Sequence, residues 1–186
     1  MHYSETANHD RYPVSWAALA RGLAVLRIFV GIIFFANGLA KLTGERNFAW
    51  GWYRGFLIVR SEAQSILNFE VNERNGGTGT QVPFLKDLVN DHLLPNWDIY
   101  QWVVTWTELG VGLLLIVGFL TRGASLLGLG FQLFLAAVYF SSGRWMFEQP
   151  HEYVPLVILA IVPAGFAWGI DGMIQRRLPG WRRWPL

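Results

Sequence analysis

The chain has 186 residues, a formal net charge of +2, ten Trp and no Cys. The missing thiols exclude disulfides, cysteine-ligated iron–sulfur clusters and thiol relays within it. Hydrophobic residues make up 53% and gather in four runs, at about 20–41, 99–120, 123–143 and 153–174. Each run is near the ~20 residues a helix needs to cross a bilayer. The expected class is all-α: an integral membrane four-helix bundle, up-down-up-down, forming a single membrane domain over 1–186 with no room for a second large soluble unit.

In chain order, a polar lead-in at 1–18 precedes the first span, whose charges between Leu19 and Leu42 are Arg21, Arg27 and Lys41. That run is too long for the core of a signal peptide and reads as a retained span. Residues 43–98 form a long, partly helical cap. Its bulky stretch (Phe48, Trp50, Trp52, Tyr53, Phe56, Leu57), with Arg46, Arg54 and Arg60 beside it, predicts a helix or re-entrant piece lying in the interface. Asn75-Gly76-Gly77-Thr78-Gly79 predicts a turn, and Pro83 and Pro95 bracket a short helix. Glu108 is the one charge from Ile99 to Leu120. Thr121-Arg122 joins the second and third spans as a tight antiparallel pair, and 144–152 joins the third and fourth. Pro163 is expected to kink the fourth span.

The tail at 175–186 holds Arg176, Arg177, Arg182 and Arg183, which predicts a cytoplasmic C-terminus. With an even number of spans the N-terminus is cytoplasmic as well, and the cap faces outward. The expected partner of these arginines is anionic lipid, not nucleic acid. Trp50, Trp52, Trp97, Trp102 and Trp145 mark one interface, and Trp16, Trp168, Trp181 and Trp184 the other.

Few groups can carry chemistry. The histidines are His2, His9, His92 and His151, all outside the spans, so no haem and no metal site is expected. Glu108 lies well inside hydrocarbon, where a charge costs roughly 2.5–3.5 kcal/mol on insertion scales, and more by other estimates. It must be protonated, paired or wet. Rise per residue puts Arg27 and Glu108 roughly 8 Å apart in depth, which predicts an Arg27–Glu108 interaction, direct or through water. That pair either fixes helix register or, with Asn37, holds a polar head such as a quinone carbonyl. At the inner surface Arg122 and Asp171 are expected to form an ion cluster, with Arg27 as a third candidate member. At the outer rim lie Lys41, Arg144, Trp145 and His151. There Lys41 either snorkels to the headgroups or joins a cationic rim that attracts an anionic substrate or an acidic partner.

The segments L-R-I-F-V-G-I-I-F-F-A-N-G-L-A-K-L at 26–42, E-L-G-V-G-L-L-L-I-V-G-F-L-T-R at 108–122 and I-D-G at 170–172 resemble the DoxX/DoxD family of small four-span bacterial membrane proteins. The third span matches only in apolar character. The long first loop, with W-Y-R-G-F-L and L-L-P-N, is more similar to the DoxD branch. The resemblance implies a bacterial inner (cytoplasmic) membrane and a subunit of an electron-transfer complex. DoxD-like proteins include the small subunit of a thiosulfate:quinone oxidoreductase. The expectation for this chain is then a subunit that lines a quinone site and, with no redox-cofactor ligands in its sequence, has no redox cofactor of its own. The alternative is a purely structural accessory subunit of a respiratory or photosynthetic membrane complex. A small transporter is a weaker third reading, because no inverted repeat is visible.

Overall fold

The computed structural model describes residues 15–50, 52–143 and 150–177. The first helix, α1 (Trp16–Thr43), starts where the Ser15 hydroxyl accepts from the Ala18 N–H at 3.3 Å. It stops at Gly44, whose φ of 80° lets its N–H return to the Ala40 carbonyl. Two further helices, α5 (Trp97–Val117) and α6 (Thr121–Tyr139), are also long and apolar enough to cross a membrane.

α1 and α5 run antiparallel in close contact because glycines remove the side chains between them. A Cβ on Gly38 would stand 2.7 Å from the Leu109 nitrogen, and one on Gly31 would stand 2.9 Å from that of Ile116. Small residues are what allow membrane helices to approach this closely. This register sets the depth of everything else. Arg27 comes to the level of the α5–α6 turn, and the first turns of α5 rise past the end of α1. That turn is Gly118 to Leu120, with Gly118 at φ 68° and Leu120 at φ 48°. Thr121 and Arg122, expected as the connection, lie inside α6.

The fourth apolar run departs from expectation. It is not a continuous kinked span over 153–174. Helix α7 (Pro150–Ile161) ends before Pro163, a 3₁₀ turn covers Ala164–Phe166, and α8 (Ile170–Arg177) follows a bend. Twelve residues rise only about 18 Å, short of a ~30 Å hydrocarbon core. Three of the four expected spans are thus continuous helices, and the fourth is broken. One core still joins them all: Val30 and Phe34 of α1, Val111 and Leu115 of α5, Ala124 of α6, Leu156 and Leu159 of α7, and Ala164.

The cap over 43–98 is partly helical, as expected, but its bulky stretch is not a helix. It is a hairpin, β1 (Asn47–Trp50) with β2 (Tyr53–Phe56), paired antiparallel from Asn47↔Phe56 to Trp50↔Tyr53. Aromatic residues favour strands where they have a pleated surface to cover, so the all-α expectation has this one exception among the described residues. Beyond it come α2 (Arg60–Asn68), wider π-helical turns at Phe69–Glu73, a brief α3 (Arg74–Gly77), then α4 (Leu85–Asp87) running into π-helical Leu88–Leu93. The expected turn is present, with positive φ at Asn75, Gly76, Gly77 and Gly79. The cap packs Leu67, Val71, Leu85 and Val89 on Val138 of α6. The side-chain amides of Asn72 and Asn90 each donate a hydrogen bond to the other's oxygen across it, at 2.9 and 3.0 Å. Buried Glu70 accepts from the Ser142 hydroxyl and pairs with Arg74 at 3.4 Å, which fixes the cap to the end of α6.

Candidate functional site: two buried polar nodes

The first node lies toward the cap end of the α1–α5 contact. The Lys41 ammonium sits 3.0 Å from Oε1 and 2.9 Å from Oε2 of Glu108. Lys41 is 5% exposed and Glu108 6%. Lys41 therefore neither snorkels nor joins a rim: it is the partner of Glu108. The expected Arg27–Glu108 interaction is not made. Fourteen residues of α1 separate Arg27 from Lys41, about 21 Å along the axis, and the glycine register brings Lys41 to Glu108 instead. Aligning the centres of two apolar runs could not reveal this stagger. Removing one member of a buried ion pair leaves the other charged and uncompensated in a medium of low dielectric, at a cost of roughly 3–5 kcal/mol. Beside the pair, Thr105 is buried and donates to the Gln101 carbonyl at 2.7 Å. Asn37 does not reach the pair; its amide donates to Ile33 of its own helix at 2.9 Å.

The second node lies at the opposite end, where the fourth run breaks. Arg27 has no solvent exposure, and its guanidinium donates to the carbonyls of Ala164 (3.1 Å), Ala167 (3.4 Å) and Trp168 (3.0 Å). A helix break frees carbonyls, and in lipid these need donors from within the protein. One planar guanidinium, with donors on both arms, serves three of them. Asp171 is equally buried and close enough to stabilise the Arg27 charge. Its carboxylate accepts from the Leu120 N–H at 2.8 Å, the Thr121 N–H at 3.0 Å and the Thr121 hydroxyl at 2.8 Å. It thereby satisfies the orphan donors that open α6. Gly165 leaves room for this: a Cβ there would collide with both Asp171 and Thr121.

The expected Arg122–Asp171 ion cluster is not formed. Arg122 donates to the Ile161 carbonyl at 2.7 Å, at the last residue of α7. Two arginines thus hold the broken segment, one at each side of Pro163. Of the expected rim, His151 is exposed in the first turn of α7. Arg144 and Trp145 lie outside the described residues.

Sequence reasoning missed Glu70 altogether, because it lies outside the long apolar runs, where a carboxylate is ordinarily solvated. It did single out Lys41 but placed it at the outer rim, and gave Glu108 the wrong partner in Arg27. The available signal was simple: a lone carboxylate in one span requires a cation, and Lys41 was the other candidate on α1.

Three long apolar helices with buried, internally compensated charges define an integral membrane protein. Within that class, the chain belongs to the DoxX family, whose model matches residues 22–142, well over half of its length. The match includes α6, where the sequence offered only apolar character, and ends before Ile170-Asp171-Gly172. No curated protein and no solved structure matches the chain.

Proposed function

We propose that this chain is a membrane subunit of an electron-transfer complex, of the thiosulfate:quinone type that the DoxD resemblance suggests, and that Glu108 serves a quinone. The observation that carries the reading is the buried Lys41–Glu108 pair. An ionisable residue kept within a membrane helix is a functional candidate by default. Reducing a quinone to a quinol takes two electrons and two protons. The electrons come from a redox centre on a partner subunit, since this chain has no Cys to ligate a cluster. Glu108 is the group that can pass a proton, and Lys41 holds it in place while stabilising the carboxylate it leaves behind. Arg27 belongs to the opposite node, and the Asn37 amide bonds to its own helix.

One observation favours the second reading, a purely structural accessory subunit: Lys41, Glu108, Arg27 and Asp171 all find partners inside the chain. Glu108→Gln separates the two. Purification in mild detergent, with quantification of every co-purifying subunit and of extractable quinone, reads assembly. Quinone reduction by the same preparation reads turnover. Normal assembly with turnover reduced at least tenfold supports the quinone role. Normal assembly with unchanged turnover removes it, and loss of the complex supports the structural one.

A further inference from the structure

A shallow groove of about 620 Å³ runs along α5 on the side turned away from α1, lined by Asp98, Ile99, Trp102, Val103, Trp106, Thr107 and Leu127. Its walls are apolar and exposed, as expected of a surface that faces lipid chains. Its cap-end rim is charged. Asp98 stands in the first turn of α5, one turn from Trp102 and exposed. Arg60, the first residue of α2, lays its guanidinium over the Trp102 ring, 4.1 Å from the centroid. Arg60 has no ion-pair partner among the described residues, and its Nη1 is buried with no acceptor. Nearby Arg46, by contrast, pairs with Glu62 at 2.7 Å. The half-buried Arg60 guanidinium is thus a cation with no carboxylate partner at the edge of a lipid-facing groove, and its exposed part can meet an acceptor that comes from outside the chain.

We infer that the groove holds one phospholipid of the phosphatidylethanolamine type. An acyl chain lies along Trp106, Val103 and Leu127, the phosphate meets Arg60, and the primary ammonium meets Asp98. A cation and an anion flanking one indole complement a zwitterionic headgroup better than a singly charged one. An ammonium with N–H donors suits a carboxylate better than the quaternary ammonium of choline. The inference stands apart from the reading of Glu108, which faces α1.

Native mass spectrometry of the full chain in detergent tests it, with equal amounts of 1-palmitoyl-2-oleoyl phosphatidylethanolamine, phosphatidylcholine and phosphatidylglycerol, and ubiquinone added in a parallel sample. The expected result is one retained ethanolamine lipid, preferred over the choline lipid roughly two- to fivefold, the factor one exposed ion pair supplies. Asp98→Asn removes that preference but keeps a lipid bound. Arg60→Gln weakens retention of both. Asp98 is exposed and Arg60 half-buried, and an unchanged melting temperature of each variant shows that the fold is kept. Equal retention of the two zwitterionic lipids, preference for the glycerol lipid, or displacement of the lipid by ubiquinone would each overturn the assignment. So would an Asp98→Asn variant with the original preference.

Discussion

The two buried cations of α1 solve the same problem in different ways. Lys41 neutralises a carboxylate on a straight neighbouring helix. Arg27 instead satisfies three backbone carbonyls released where a helix breaks, with Asp171 behind it. The lysine node is an exchange of charges, and an apolar pair of the same shape can replace it. The arginine node compensates a backbone defect, and no apolar side chain can. A buried charge is therefore a weaker sign of structural necessity when its partner is a side chain than when its partner is the main chain.

The sharpest way to break this comparison is at Arg27. Arg27→Met leaves three carbonyls and the Asp171 carboxylate without their cation, and should cost at least ~3–5 kcal/mol. The expected outcome is loss of a monodisperse species in detergent chromatography. Arg27→Lys should rescue only part, because one ammonium cannot span the carbonyls of Ala164, Ala167 and Trp168.

Lys41→Met comes next, at about 3–5 kcal/mol by removal of one partner from a buried pair. Adding Glu108→Leu should recover most of that loss in thermal unfolding, a coupling that a double-mutant cycle reads directly. A double variant as unstable as the single one would show that the two nodes are alike after all.

A third variant sharpens the geometry behind both. Gly38→Ala places a Cβ 2.7 Å from the Leu109 nitrogen and must push α1 and α5 apart. Overpacking of this kind costs about 1–3 kcal/mol. Because the shift separates Lys41 from Glu108, the effect should shrink when that pair is already absent.

Asp171→Ala removes the acceptor at the start of α6, worth about 0.5–2 kcal/mol as a cap. It should act more strongly with Arg27 present than in Arg27→Met, since each charge stabilises the other. The smallest effect is expected at the pair between exposed Arg46 and half-buried Glu62. There Glu62→Gln should change the melting free energy by less than about 1 kcal/mol and lose even that in high salt.

Much of this molecule was legible in its sequence. Apolar length alone identified α1, α5 and α6, since bilayer thickness is a one-dimensional constraint that a run of residues meets or fails. Asn75 to Gly79 and Pro83 announced their turn and helix start for equally local reasons: positive φ favours glycine, and proline brings no N–H. Even the importance of Arg27, Lys41, Glu108 and Asp171 was visible, because a charge within a hydrophobic run is costly wherever it goes. The partners were not. Whether Glu108 meets Arg27 or Lys41 depends on how far two helices slide, and that is set by Gly31, Gly38 and Gly112 packing against a particular neighbour. The break at 162–169 was legible only as a kink at Pro163. Its apolar residues read as a span, and it is stable only because Arg27 and Arg122, distant in sequence, bring donors to its carbonyls. The strands at 47–56 were likewise masked by aromatic residues that suit either an interfacial helix or a hairpin. Sequence determined which groups had to be compensated in lipid, because that is a property of each residue. Only the tertiary structure decided which group compensates which, because that is a property of distance.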